Sequence, residues 1–347
     1  LIAGSGPSGL ASAYAAAQNG ARVILAEDKP RFGGSLLTDE VTIGNQSGQE
    51  WTNKIISELK SMPNVIVKNR SQVFGYYDHN MLVMSERVSD HLPKTNKYSP
   101  KQRLWYIRAK EVIISSGSIE RPLVFGNNDT PGVMLSSAAK EYLKVYGVLV
   151  GKKPVIFTNN DSGYETAIEF KKNGIDPLIL DTRKDPNSEI VNEAKSLNIN
   201  IKFSYVIVAA KGYKKVKSAD IASISDDKKH LSKIENIKCD CICVSGFWTP
   251  TIHLASQSGN KTIFNEEIDS FIPNQAKQKE TTLGSAKGIF TLEKTLTTSF
   301  KKGCELSKKI TNKDNKVSVP TVVEKKSSKH DKFWCVPLPN GKNYKRF

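Results

Sequence analysis

Apolar and polar positions along this chain switch repeatedly between the strand period and the helix period. Leu1-Ile2-Ala3 is the tail of an apolar strand, an Ala-rich helix follows over Leu10–Gln18, and a second apolar strand, Arg22–Ala26, ends in Glu27. Ser47–Ser61 has the spacing of an amphipathic helix, and Val65-Ile66-Val67 reads as the next parallel strand. Stretches 71–77, 81–88 and 103–109 predict a meander, broken by the polar, Pro-containing loop Ser89–Lys101. Glu111–Ser118 is a buried strand that ends in small residues; Arg121-Pro122 then leaves the domain, and a helix runs over Ser136–Tyr146.

A second strand–helix–strand unit follows: strand Pro154–Thr158, turn Asn159–Gly163, helix Tyr164–Asn173, strand Pro177–Asp181. A helix at Ser188–Leu197 and strands at Ile199–Phe203 and Tyr205–Ala210 extend it. Cys239–Ser245 is again a buried strand, at which the chain is expected to return to the first domain. The helix Leu292–Lys309 is expected to pack against the first sheet. This pattern predicts an α/β protein of two Rossmann-like dinucleotide-binding domains, the second inserted in the first. The first domain is expected over residues 1–122 and 240–310, the inserted one over 123–239. Residues 311–332 read as a Lys-rich linker, and Lys332–Pro337 as the entry to a further domain.

Candidate chemistry sits at the first strand–helix turn. Gly4-Ser5-Gly6-Pro7-Ser8-Gly9 has the spacing G-x-G-x-x-G, with an acid about twenty residues on. Gly4 allows the tight turn, Gly6 leaves room for a pyrophosphate, and Gly9 lets the helix pack close to the strand. The helix N-terminus offers free N–H groups to phosphates. Glu27, with Asp28 beside it, is placed to accept from ribose hydroxyls. The loop Arg31-Phe32-Gly33-Gly34-Ser35 has the small residues that a backbone wrapping a cofactor needs. Ser116-Gly117 and Gly284 lie in two further small-residue turns. The second unit keeps only Gly163 of the glycine triplet and has Asn159, Asn160 and Asp161 in the turn, so tight dinucleotide binding is expected to be lost there.

Composition changes the picture in three places. A chain of 347 residues with 38% hydrophobic content supports two domains and a large core. The formal charge of +16 raises nucleic-acid binding as a class, but the excess is mostly Lys, densest between Lys301 and Lys332, without interleaved aromatic residues. Nucleic acid is therefore not expected as a partner, and no apolar run approaches the ~20 residues that span a bilayer. The five cysteines, odd in number, suggest reduced thiols and a cytoplasmic protein. Cys239, Cys241 and Cys243 alternate and are expected on one strand face as buried thiols. No metal set is present at standard spacing, and the absence of C-x-x-C leaves no nucleophile pair for dithiol chemistry. His79, His91, His230, His253 and His330 are scattered, and no residue qualifies as a catalytic acid, base or nucleophile; His253 is expected to be packed or hydrogen-bonded. Leu1 opens a strand only three residues long, against the usual five or six, so upstream residues of a longer polypeptide are expected.

Three strings are far more specific: Leu123–Leu135, Phe157-Thr158-Asn159-Asn160-Asp161, and Val244–Gly259, which contains Gly246-Phe247-Trp248-Thr249-Pro250. Together with the order of motifs, they resemble the alpha subunits of heterotetrameric sarcosine oxidase, within the flavoproteins that have two dinucleotide-binding domains. The resemblance implies a central NAD-binding fragment, with residues 311–347 serving as a linker and the start of a missing C-terminal folate-binding domain. It further implies beta and smaller partner subunits, with FAD and FMN in or shared with a partner. Sarcosine would be oxidised to glycine elsewhere in the complex and the one-carbon unit passed to tetrahydrofolate. Gly4, Gly6 and Gly9 match the family's first fingerprint, Glu27 its ribose acid, and Arg31, Gly33, Gly34, Ser35 and Gly117 its next loops. Gly284 and Gly288 fall where related flavoproteins carry a Gly-Asp turn. The Asp is absent here, which favours NAD over FAD. The alternative is a self-contained FAD-dependent amine or opine oxidoreductase subunit.

Overall fold

The computed structural model describes residues 1–315, 317–339, 345 and 346. Lys316 of the basic stretch, and residues 340–344 and 347 of the C-terminal stretch, lie outside the described residues. The chain divides into two units: Leu1–Ile119 with Thr249–Glu324, and Glu120–Trp248 with the residues from Lys325 on.

The first unit is built on a parallel sheet in the order Glu280–Thr282, Val112–Ile114, Ile2–Ala3, Val23–Ala26, Val65–Lys68. Helices cover one face and an antiparallel meander (Ser71–Tyr77, Met81–Arg87, Gln102–Arg108) covers the other. The first helix, α1 (Pro7–Gln18), starts on Pro7 at N1, where the missing N–H costs nothing. Its alanines permit close packing: a Cβ on Gly303 would stand 2.6 Å from Ser12 O and 2.9 Å from Ala15 Cβ. The next helix, α2 (Gly48–Ser61), begins with a capping box in which Ser47 and Glu50 satisfy each other's backbone N–H. Its apolar stripe places Trp51, Ile55 and Leu59 against Leu10, Leu25 and Leu36.

The second unit repeats the plan. Its parallel sheet runs Val133–Leu135, Cys241–Ser245, Pro154–Thr158, Leu178–Asp181, Asn200–Phe203. The helices α3 (Ser136–Tyr146), α4 (Ser162–Lys172) and α5 (Glu189–Ser196) bury Ala139, Tyr164, Phe170 and Val191 on one face. The meander Tyr205–Gly212, Val216–Ser223, Glu235–Lys238 buries Val206, Ile221 and Phe125 on the other.

Several sequence expectations change. Cys241–Ser245 is not a return to the first domain: it is an inner strand of the second sheet, because its unbroken apolar run is buried on both faces. Cys239 does not share a face with Cys241 and Cys243. The chain turns at Asp240, so Cys239 packs on the meander side and the other two on the helix side. Residues 311–332 are not a free linker. Val322–Val323 pairs with Thr42–Ile43 in the first unit, and Asp331 is hydrogen-bonded to Asn159 in the second. Phe333 and Val336 are buried in the second unit's core. Strands Val216–Ser223 and Glu235–Lys238 and the hairpin Lys261–Asn265/Ser270–Gln275 were not legible, since short polar and small residues interrupt their alternation.

Candidate functional site

In an open parallel sheet the ligand crevice lies beyond the carboxyl ends of the strands, where the strand order reverses. In the first unit that point falls between Ile2–Ala3 and Val112–Ile114. The structure gathers there the turn Gly4–Gly9, the loop after Ala26, the turn Ser115–Gly117 and the turn at Gly284.

The glycines differ in what they permit. Gly4 has φ +101°, and a Cβ there would fall 2.2 Å from Ser115 O. A Cβ on Gly9 would fall 1.9 Å from Gly4 O, so α1 packs on the turn itself. Gly6 is the opposite case: an added Cβ would meet no protein atom within 4 Å. Pro7 starts α1, whose first N–H groups have no intrahelical acceptor.

The loop after the second strand folds over this turn. Gly33 N donates to Ser5 O at 3.1 Å, and a Cβ on Gly34 would stand 2.9 Å from Gly6 Cα. Arg31, Gly34 and Ser35 are exposed along it, and Asp28 is exposed one residue after Glu27. Ser116 Oγ donates to Thr251 O at 2.8 Å, and Gly117 O accepts from Thr251 N at 3.0 Å. Gly284 rests on α1: a Cβ there would lie 2.7 Å from Ser8 Oγ.

Glu27 is buried, 7% exposed. Its Oε2 accepts from Ser5 N at 2.9 Å and Ser5 Oγ at 2.6 Å, and its Oε1 from Lys29 N at 3.0 Å. Burial first, then the neighbouring Asp28 carboxyl, pushes its pKa above the usual carboxylate range, while the Ser5 and Lys29 donors act against this. A carboxylate accepts at about four lone-pair positions, so these three donors leave room for a further hydroxyl. Ser5 was missed as a site residue; the hydroxyl at the variable position inside G-x-G was the available clue. Lys287 was also missed. It sits one turn beyond Gly284, its ammonium bonded to Pro273 O, and burial holds its pKa below the usual lysine value.

His253 is exposed at the start of the short helix α6 (His253–Gln257) rather than packed. Cys241 and Cys243 bring their sulfurs to 3.7 Å, fully buried, and burial lifts the neighbouring Cys239 thiol to about 12. These are not the accessible thiolates that exchange chemistry needs. Among the described residues no cluster of His, Cys, Asp and Glu could hold a metal, and no helix is long and apolar enough to cross a membrane.

The family profile of the pyridine nucleotide-disulphide oxidoreductases matches residues 1–270. The chain belongs to this family. It is 37% identical to sarcosine oxidase subunit alpha of Rhizobium meliloti (strain 1021) over 288 residues, which is 82% of this chain and 28% of that protein. It is 29% identical to sarcosine oxidase subunit alpha of Corynebacterium sp. (strain P-1) over 345 residues, 98% of this chain and 35% of that one. The chain thus spans about a third of the length of these curated relatives. The resemblance to sarcosine oxidase alpha subunits drawn from the three strings stands. The fold is shared with L-proline dehydrogenase from P. horikoshii, with TM-score 0.65 and 19% identity over 89% of this chain and 55% of that one.

Proposed function

We propose that the first unit binds NAD at the Gly4–Gly9 turn, as the NAD-binding portion of the alpha subunit of a multi-subunit sarcosine oxidase. One observation carries the reading: the open space at Gly6, bounded by the α1 N-terminus and by Gly34. A diphosphate in that space would meet main-chain N–H groups and the positive end of the helix dipole. Glu27, held by Ser5 and Lys29, would accept from the adenosine ribose. The turn Gly284-Ser285-Ala286-Lys287 has no carboxylate for a flavin ribityl chain, which favours NAD over FAD.

In this reading bound NAD supplies a nicotinamide for hydride exchange, and the chain's residues supply position alone. Gly4, Gly6, Pro7, Ser8 and Gly9 hold the diphosphate. Arg31, Gly33, Gly34 and Ser35 close over it from one side, and Ser116, Gly117 and Gly284 from the other. Glu27 and Asp28 discriminate against a 2′-phosphate by like charge. The beta and smaller subunits of a cytoplasmic heterotetramer would carry or share FAD and FMN. Sarcosine would be demethylated to glycine there, with its one-carbon unit going to tetrahydrofolate and its electrons to oxygen. The isolated chain would bind nucleotide without oxidising sarcosine.

Mass spectrometry of the small molecule released on denaturing the purified chain tests this. NAD is the expected product. A yellow protein that releases FAD would replace this reading with the second one, a self-contained FAD-dependent amine or opine oxidoreductase subunit, with which the Gly33-Gly34 loop and the Gly117 turn are also compatible. Protein that neither releases nor binds a dinucleotide overturns both.

A further inference from the structure

The second unit has its own crevice beyond the carboxyl ends of Pro154–Thr158, Leu178–Asp181 and Cys241–Ser245, at the reversal between Pro154–Thr158 and Cys241–Ser245. The chain from Ser328 to Trp334 lies across it, and the residues that grip this segment are those that follow the three strands. After Thr158, the Asn159 carbonyl accepts from Asp331 N at 2.8 Å, and Asn159 Nδ2 donates to Asp331 O at 2.9 Å and Phe333 O at 3.2 Å. At the entry to α4, Asp161 accepts from Ser328 N at 2.6 Å and from Ser328 Oγ at 2.8 Å. After Asp181, Thr182 Oγ1 donates to Asp331 Oδ2 at 3.0 Å, and Arg183 Nη1 donates to Ser328 Oγ at 2.7 Å and Lys329 O at 3.2 Å. After Ser245, the Phe247 ring stacks on His330 with centroids 4.0 Å apart and planes 10° apart.

The electrostatics of the crevice suit this occupant and oppose a dinucleotide. The helix entry, where a diphosphate would need positive potential, carries the Asp161 carboxylate, 4% exposed. Arg183, ion-paired with it at 2.8 Å, is shared with Asp181 at 2.8 Å, so the trio keeps a net negative charge, and the nearby Lys228 ammonium is paired with Asp331 of the segment itself at 3.0 Å. Asp181 stands at the end of the second strand, where a ribose acid would be, and its Oδ2 is taken up by the Tyr164 hydroxyl at 2.6 Å.

We propose that Ser328–Trp334 is the built-in occupant of the second unit's nucleotide crevice, an internal strap that excludes pyridine nucleotides from it. The strap meets the crevice with donors and acceptors alike: Asp161 and the Asn159 carbonyl take its N–H and hydroxyl groups, while Asn159, Thr182 and Arg183 donate to its carbonyl and side-chain oxygens; a diphosphate would leave Asp161 without donors and add charge beside it. Removing the strap would leave Asn159 and the Asp161–Arg183 pair without their partners, at the cost of unmatched buried polar groups.

Amide hydrogen exchange on the full chain tests the proposal, read at Ser328 and Asp331 with and without saturating NADH. Both amides are expected to be protected, with rates changed less than about twofold by NADH. A rise of tenfold or more on adding NADH would show the strap yielding to nucleotide and would overturn it. Ser328→Pro removes the N–H that Asp161 accepts. In this variant, exchange at Asp331 is expected to rise about tenfold while far-UV circular dichroism stays unchanged; undiminished protection at Asp331 would also overturn the strap. Should that variant not fold, Ser328→Ala, which deletes only the hydroxyl, is expected to show a smaller rise at Asp331, and none would count against the proposal. Exchange at Gly33 in the same spectra reports the first unit alone, so failure of the NAD site there leaves the reading at Ser328 intact.

Discussion

At the scale of single residues, the two key glycines of the first turn make opposite predictions. Gly6→Val adds atoms to open space, so the unfolding free energy should change by less than about 0.5 kcal/mol, while NAD affinity by calorimetry falls at least a hundredfold. Gly9→Ala forces a Cβ onto Gly4 O at 1.9 Å, so it should cost about 1–3 kcal/mol by urea denaturation, whatever ligand is present. Equal affinity in Gly6→Val and wild type would remove the site from this turn. Glu27→Gln keeps the shape but weakens acceptance from Ser5 and Lys29 and from a ribose hydroxyl. NAD affinity should fall about tenfold, the value of one charge-assisted hydrogen bond. A wild type that already prefers NADP would contradict the role of Glu27. The glycines were legible because their spacing is local. Ser5, the partner of Glu27, was not, because that pairing joins residues 22 positions apart.

At the scale of elements, helix ends carry the testable energetics. Ser47 caps α2 through Glu50 N, so Ser47→Ala should cost about 1 kcal/mol, measured as a lower urea midpoint. The N-terminus of α3 is satisfied differently: Ser137 N donates to Glu120 Oε2 at 2.7 Å from 17 residues away. Glu120 is 3% exposed, and burial, against the opposing Ser137, Ser245 and Lys140 contacts, raises its pKa above the usual value. A carboxyl with a raised folded-state pKa binds its proton more tightly folded than unfolded. Stability is therefore lost as pH climbs from the ordinary glutamate range through the folded-state value. Glu120→Gln should raise the melting temperature relative to wild type at pH 8, and the gain should vanish near pH 4. A gain equal at both pH values would show that ionisation is not the cause. Helix periods and caps of the Ser47 kind could be read along the chain. The strands Val216–Ser223 and Glu235–Lys238 could not, because their pairing partners, not their own alternation, make them strands.

At the scale of the whole molecule, two units of the same plan differ in their crevices. One crevice has an open glycine turn; the other is filled by its own chain. Saturating NAD should therefore slow amide exchange in residues 4–37, 115–117 and 283–288, and leave 154–183 unchanged. At a hundred times the dissociation constant, ligand should stabilise its unit by about 2.7 kcal/mol. Protection appearing in 154–183 would place nucleotide in the second crevice. The division of the chain shows the same contrast between local and distant information. The parallel-sheet plan was legible from alternating strands and helices, whereas the assignment of Cys241–Ser245 to the second sheet was not, since either sheet could take a strand of that composition.

The sequence by itself determined the strand–helix–strand order, the glycine turn and its acid, and the loss of glycines from the second turn. Each depends on near neighbours: steric permission at a glycine, the reach of one helix turn, the period of a strand. Only the tertiary structure decided which sheet Cys241–Ser245 joins, which face Cys239 meets, and where Ser328–Trp334 comes to rest. Those outcomes turn on hydrogen bonds and buried surface shared by residues far apart in the chain, as with Asn159 and Asp331. No local pattern records such partners, because the acceptors exist only once the strands have been brought side by side.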